Sequence, residues 1–179
     1  MQVSSIRAIP RVLLSSLLVF GWGCGPDEEE QAQPDPQLAE RLLEEAVGHM
    51  SAGRYEQALA AYTEVIRLDS THVPARHNMA IAYLEQGQYQ QAADVLEEAL
   101  RLSPESSSSY RLLASARQEL GQHDKAEEAL LRALYVVPND LRTRLALMEL
   151  YSVQGRADRA IEVMEETSRL APQQVDIWR

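Results

Sequence analysis

A 34-residue unit repeats four times without a gap between residues 39 and 174. The four blocks cover residues 39–72, 73–106, 107–140 and 141–174. A period of this length is typical of architectures in which each unit buries its apolar face only by stacking on its neighbours. The repeat therefore predicts one stacked array, and residues 175–179 begin like a fifth unit.

Three places in the block carry the same kind of residue in nearly every copy. The fifteenth place is always glycine, in Gly53, Gly87, Gly121 and Gly155. The twentieth is always alanine, in Ala58, Ala92, Ala126 and Ala160, and the thirty-second is proline in Pro104, Pro138 and Pro172. Glycine ends a helix in left-handed backbone, alanine lets two helices approach closely, and proline stops a helix. Each block therefore predicts a helix, a turn, a second helix and another turn.

The period and these columns resemble the tetratricopeptide repeat family, whose unit is also a 34-residue helix-turn-helix. The resemblance implies an all-α, right-handed superhelical solenoid of four repeats plus the short start of a fifth. The chain departs from the family where a large aromatic usually begins the first helix, because the fourth place holds Leu42, Arg76, Tyr110 and Arg144. It also departs at the eleventh place, where His49 and Arg117 replace the usual tyrosine in two blocks.

The two ends of the array differ from its middle. Glu45 stands where the inner blocks have Met or Leu, and Thr167 and Ser168 stand where the other blocks have apolar pairs. Because a terminal repeat faces water on a side that inner repeats bury, these replacements predict that both edges are capped. We therefore expect a natural four-repeat array rather than a fragment, with Trp178 packed on the last helix.

The first 23 residues have the pattern of a secretory signal peptide. They contain Arg7 and Arg11, no acidic residue, and an apolar run over residues 12–20 that is far shorter than the roughly 20 residues of a membrane span. Cys24, the only cysteine, follows directly and resembles the lipid-attachment site of bacterial lipoproteins, with Gly23 before it as in that family. The resemblance implies lipidation at Cys24, although ordinary cleavage and an uncleaved anchor remain open.

Residues 24–38 are predicted to form a disordered tether after the lipidated cysteine, because they combine a run of acidic residues with prolines and have almost no apolar side chain. The resemblance to bacterial lipoproteins also implies sorting to the outer membrane, facing the periplasm, because the residue after the cysteine is Gly25 rather than aspartate. The formal net charge of −10 argues against nucleic acid as a partner and against electrostatic adhesion to anionic lipid. The expected membrane contact is therefore the lipid anchor alone.

Motifs for catalysis are missing from the sequence. It has no glycine-rich phosphate loop, no cysteine pair, no nucleophile elbow and no His-Glu-x-x-His helix. The four histidines are interpreted as structural or surface residues, and the serines at 106–109 as caps of the next helix. The sequence predicts no enzymatic activity, no cofactor, no metal site and no small-molecule substrate.

In the tetratricopeptide repeat family, the first helices of successive repeats line a concave groove that binds partner proteins. Carried over place by place, the resemblance implies a partner-binding groove made of Leu43, Val47, Met50, His77, Ile81, Leu84, Arg111, Ser115, Gln118, Arg142, Leu145 and Glu149. His77, Arg111 and Arg142 are expected to form a basic strip that pairs with a carboxylate, such as the C-terminus of a partner. The alternative is that nearby glutamates at 85, 119 and 149 neutralise this strip.

Two classes of function remain open from the sequence. The first is a membrane-tethered, non-catalytic adaptor for other envelope proteins, of the kind that helps to assemble pili, secretins or the outer membrane. The second is a substrate-recruiting or regulatory subunit of an envelope enzyme that another polypeptide supplies. A heat-shock co-chaperone is not expected, because Leu43 and Val47 occupy two places of the lysine and asparagine set that the chaperone-tail-binding members use, and only Asn78 matches that set.

Overall fold

The computed structural model describes residues 36–170, which form eight α-helices and no strand. The helices are α1 (Pro36–Ser51), α2 (Tyr55–Leu68), α3 (Val73–Glu85), α4 (Tyr89–Leu102), α5 (Ser107–Glu119), α6 (His123–Val136), α7 (Leu141–Val153) and α8 (Ala157–Leu170). Each predicted block holds one pair of helices, so the all-α repeat architecture is confirmed. The predicted signal peptide, Cys24, most of the tether and residues 175–179 lie outside the described part.

The first helix begins earlier than the block boundary suggests. It starts at Pro36, so residues 36–38, which the sequence assigned to a disordered tether, are helical. Proline is favoured at the first position of a helix, where its missing N–H costs no hydrogen bond and its fixed φ suits the helix. The tether prediction is therefore wrong for these three residues.

The glycine column lies in left-handed backbone, as predicted. The four φ angles are 69°, 70°, 70° and 68° at Gly53, Gly87, Gly121 and Gly155. At the end of α5, the Gly121 N–H donates to the Gln118 carbonyl at 2.9 Å, and the Gln122 N–H donates to the Arg117 carbonyl at 2.8 Å. These bonds use carbonyls at the end of the helix that have no partner within it.

Alanine at the twentieth place allows close packing of the two helices in a repeat. Ala58, Ala92 and Ala126 are completely buried. Large side chains fill the remaining space, with Tyr62 in the core of the first repeat and Leu130 in the core of the later ones. The repeats thus share apolar packing along the array.

The helices are arranged so that one set lies on the inside of a curve. We call α1, α3, α5 and α7 the first helices, and α2, α4, α6 and α8 the second helices. Among residues 36–170, each first helix contacts the first helix of the next repeat, whereas the second helices of neighbouring repeats lie farther apart. The first helices therefore line the concave side of the array.

Two buried arginines fill the fourth place, where the family usually has an aromatic residue. Arg76 donates from Nη2 to the Ser70 carbonyl at 2.8 Å, and Arg144 donates from Nη2 to the Pro138 carbonyl at 2.9 Å. Each carbonyl lies six residues earlier, in the loop that joins two repeats. Arg144 also pairs through Nη1 with Glu166 at 3.1 Å. Arginine at this place buries its aliphatic stem while its guanidinium satisfies loop carbonyls, so it ties the repeats together.

A second cluster joins the third repeat to the fourth. Glu127 on α6 accepts a hydrogen bond from the Tyr151 hydroxyl at 2.8 Å and one from Arg156 Nη1 at 2.5 Å. The Arg156 guanidinium also lies over the Tyr151 ring, 4.6 Å from its centre. The Arg156 hydrogen bond is the main reason why the pKa of Glu127 is lower than that of an ordinary glutamate.

The two ends of the array differ in whether the predicted polar residue faces solvent. Glu45 is exposed, as expected for the N-terminal edge. Thr167, by contrast, is 9% exposed and Ser168 is half-buried, so Thr167 does not mark a solvent-facing edge. The residues at the same place in the other repeats, Val65, Ala99 and Ala133, are buried as well, and the Thr167 hydroxyl donates to the Val163 carbonyl one turn earlier. The prediction of a polar C-terminal edge is wrong in this respect, because α8 instead exposes Ile161 and Met164.

Candidate protein-binding groove

All twelve predicted groove residues lie on the four first helices, and none of them is fully buried. Eight are half-buried, namely Leu43, Met50, His77, Ile81, Leu84, Arg111, Gln118 and Leu145. Four are exposed, namely Val47, Ser115, Arg142 and Glu149. Because the first helices line the concave side, these side chains share one accessible surface.

The apolar groove residues form two groups, because some pack against the hydrophobic core and others do not. Leu43 and Met50 pack against the core of the first repeat, and Leu84 packs against the core of the later repeats. These three side chains therefore support the fold as well as the groove. Val47 is 47% exposed, Ile81 and Leu145 are half-buried, and none of the three belongs to these packed sets. Val47, Ile81 and Leu145 are therefore the apolar side chains that the groove offers most freely.

His77 connects the second and third repeats across the groove. Its Nδ1 lies 3.0 Å from the Ser109 hydroxyl oxygen. Ser109 is completely enclosed and also accepts a hydrogen bond from the Ser106 hydroxyl at 2.8 Å. Burial, and then the nearby charge of Arg111, lower the pKa of His77 below its ordinary value. The lowered pKa favours the uncharged form of the His77 ring.

Arg111 already has a carboxylate neighbour. Its Nε lies 3.5 Å from Oδ2 of Asp140, and both side chains are largely buried. Asp140 is also the N-cap of α7, where it accepts a hydrogen bond from the Arg142 N–H at 3.2 Å. Sequence reasoning missed Asp140, because it lies in the turn before the groove helix. The sequence signal that could have identified Asp140 is an aspartate at the N-cap position, directly before a predicted helix.

The predicted basic strip consequently carries less positive charge than its sequence suggests. The lowered pKa of His77 favours its uncharged form, and the charge of Arg111 is partly compensated by Asp140. The exposed guanidinium of Arg142 makes no ion pair within residues 36–170. The structure thus leaves Arg142 as the cation in this strip that is most available to a ligand.

Another concavity lies outside the groove, among α4, α5 and α6. It has a volume of about 470 Å³, and its lining includes Tyr110, Arg117, Lys125 and Arg132. Arg117 is already engaged there, in an ion pair with a glutamate of α4 and a hydrogen bond to Gln122. This cleft shares no residue with the predicted groove.

His72 and Ser106, which the sequence analysis singled out, cap helices. The His72 ring caps α3 by accepting a hydrogen bond from the Ala75 N–H at 3.0 Å. Ser106 caps α5 by accepting one from the Ser109 N–H at 3.3 Å, as predicted. Within residues 36–170 no three His, Cys, Asp or Glu side chains come together as metal ligands. In the same range, no helix has the length and apolar character that a bilayer crossing requires.

Solved structures show the same fold. A crystal structure of MamA aligns with a TM-score of 0.72 and 24% identity, over 79% of this chain and 83% of that chain. The first tetratricopeptide repeat domain of Spaghetti (RPAP3), bound to the HSP90 peptide SRMEEVD, aligns with a TM-score of 0.65 and 22% identity, over 69% and 98% of the two chains. The second such domain of human RPAP3, in complex with the HSP70 peptide SGPTIEEVD, has a TM-score of 0.62 and 24% identity, over 64% and 95%.

No curated protein gives a significant match to the sequence. A family model described as tetratricopeptide repeat matches residues 49–96 and 83–142, and a second model of that description matches residues 141–166. The matches begin within the first repeat and extend into the fourth, so they cover most of the array that the periodicity and the eight helices of residues 36–170 define. This chain therefore belongs to the tetratricopeptide repeat family.

Proposed function

We propose that this protein is a non-catalytic interaction scaffold that binds a segment of a partner protein in the concave groove. The observation that carries the proposal is the set of accessible side chains on the four first helices, which share the inner side of the array. The two RPAP3 domains, which have the same fold, are bound to peptides. Peptide binding is therefore compatible with this architecture.

The groove favours a partner segment with an apolar residue and a nearby carboxylate. Val47 and Ile81 offer apolar surface on α1 and α3, and Leu145 offers it on α7. Leu145 lies one helical turn from Arg142, whose exposed guanidinium makes no ion pair within residues 36–170. Guanidinium groups bind carboxylates through two parallel hydrogen bonds. Leu43 and Val47 occupy places where chaperone-tail binders carry polar residues, so we expect the peptide SRMEEVD to bind weakly and to serve as a negative control.

The N-terminal sequence supports a membrane location for the scaffold. We propose that Cys24 is lipidated and holds the repeats at the bacterial outer membrane, facing the periplasm. The support is the signal-like pattern of residues 1–23 and the glycine that precedes the cysteine. In that location the partners are other envelope proteins, and the scaffold serves assembly of pili, secretins or the outer membrane.

Location and partner binding are tested together by crosslinking and pull-down from membranes, with wild type and Cys24→Ala side by side. Mass spectrometry of the mature N-terminus is expected to find an acylated cysteine in the wild type. Envelope proteins are expected to co-purify with the wild type and to be lost in the variant. A soluble wild-type product without acyl chains would contradict the anchor.

The groove is tested with the partner segment that this experiment identifies. Arg142→Gln is expected to weaken binding by about tenfold or more, because a hydrogen bond to a charged group contributes roughly 1.5–3 kcal/mol. Arg111→Gln is expected to have a smaller effect, since Asp140 already compensates its charge. Arg101→Gln is the matched control, because this exposed arginine pairs with Glu98 on a second helix. Equal affinities for all variants would exclude carboxylate binding in the groove.

A further inference from the structure

The cleft among α4, α5 and α6 is cationic, although the chain as a whole is acidic. Lys125 and Arg132 on α6 line it, both are exposed, and neither makes an ion pair within residues 36–170. Arg117 also lines the cleft, but it is buried and already paired with Glu97. Because Glu128 adds one carboxylate to the lining, the cleft keeps a net positive charge in a protein whose formal net charge is −10.

The positive charge of Arg132 replaces a negative charge that the other repeats carry. Arg132 stands at the twenty-sixth place of its block, where the other three blocks have Glu64, Glu98 and Glu166. In the fourth repeat this glutamate pairs with Arg144, the buried arginine at the fourth place. The third repeat has Tyr110 at the fourth place, and Tyr110 lines the cleft together with Arg132. An aromatic ring and a guanidinium without a carboxylate partner thus replace the ion pair of the fourth repeat.

An exposed apolar patch lies beside the cleft on the same helix. Leu131 is 48% exposed and Tyr135 is 83% exposed. The other three repeats have threonine or glutamate at the place of Leu131 and arginine at the place of Tyr135. Leu131 and Tyr135 border a second concavity, of about 440 Å³, and Glu128 and Arg132 line both this concavity and the cleft. The patch and the cleft therefore form one continuous surface along α6.

We propose that this surface of α6 is a second binding site, which takes an acidic segment of a partner protein. A carboxylate of the segment binds between Lys125 and Arg132, and an adjacent apolar side chain packs on Leu131 and Tyr135. Guanidinium groups bind carboxylates through two parallel hydrogen bonds, and an exposed aromatic ring offers a large apolar contact. Charge complementarity favours this occupant, because a basic segment would be repelled by two unpaired cations. The site shares no residue with the concave groove, so the inference does not depend on the proposed groove function.

The probe is a fluorescein-labelled peptide of alternating leucine and glutamate with an amidated C-terminus, and fluorescence anisotropy measures its binding to the full chain. Arg132→Glu introduces the residue of the other three repeats, so the variant is expected to fold. It is expected to weaken binding by about tenfold or more, because the peptide carboxylate then meets a like charge. Lys125→Gln, which introduces the residue of the first two repeats, is expected to weaken binding roughly threefold. Arg67→Glu is the matched control, because this exposed arginine lies on α2, away from the cleft, and its reversal is expected to leave binding unchanged.

Two further measurements separate the parts of the site. The same peptide with glutamine in place of glutamate is expected to bind about tenfold more weakly or worse. Leu131→Thr, which introduces the residue of the first repeat, is expected to weaken binding roughly threefold, because the peptide loses apolar contact.

Each alternative has its own result. Equal affinity for the two peptides would overturn the inference, as would equal losses from Arg132→Glu and Arg67→Glu. Binding that Arg142→Gln abolishes and Arg132→Glu leaves intact would assign the peptide to the concave groove instead. Inorganic phosphate that competes as strongly as the unlabelled peptide would reduce the cleft to a site for a free anion. A dimer in sedimentation that Leu131→Thr dissociates would assign the patch to a second copy of the chain.

Discussion

The same substitution at two glycines is expected to change stability in opposite directions. Gly121 has φ 70°, and an added Cβ would meet nothing within 4 Å, so Gly121→Ala adds no steric clash. Its cost is the left-handed backbone alone, about 1–2 kcal/mol for a residue with a side chain. Gly48 lies exposed inside α1, where a Cβ also meets nothing within 4 Å. Gly48→Ala is expected to stabilise by about 0.5–1 kcal/mol, because alanine has the higher helix propensity.

The two variants should therefore differ by about 2 kcal/mol in the free energy of unfolding. Urea denaturation, monitored by circular dichroism, measures this difference. An unchanged slope of the unfolding free energy against urea concentration shows that both variants unfold in the same way. The melting temperatures are expected to differ by roughly 4–8 °C. If both substitutions destabilise equally, the glycine column reflects packing rather than backbone conformation, and the reasoning is refuted.

Two side-chain predictions follow from the contacts between repeats. Arg144→Met is expected to lower the free energy of unfolding by about 1–3 kcal/mol, because the protein loses the hydrogen bonds from this buried guanidinium to the Pro138 carbonyl and its ion pair with Glu166. Arg101→Met, at an exposed arginine, is the control, and equal urea midpoints for the two variants would contradict the role of the buried arginine. Glu127, whose pKa is lowered chiefly by the Arg156 hydrogen bond, contributes stability above its ordinary pKa of 4.5 that is lost as pH falls through the lower folded value. Glu127→Gln should therefore flatten the fall of the melting temperature as the pH drops below about 4.5, and an unaltered acid profile would count against this ion pair.

The sequence predicted which positions of the first helices face the candidate groove, but it did not predict what the side chains at those positions contact. The period put Val47, Ile81 and Arg142 on the accessible side of the first helices, and the structure has them there. It did not predict that the carboxylate of Asp140 lies beside Arg111, since that contact joins residues 29 apart in the sequence. The lowered pKa of His77 has the same origin, because burial depends on which helices enclose a side chain.

The sequence alone determined the all-α fold, the repeat boundaries and the turns, because these depend on local backbone preferences that recur at a fixed spacing. Glycine at the fifteenth place is the clearest example, since left-handed backbone is a property of one residue. Only the tertiary structure decided what the departures from the pattern do. Arg76 reaches a loop carbonyl, Thr167 turns inward and Met164 faces outward, because each outcome depends on the neighbouring repeat that packs there or is missing among residues 36–170.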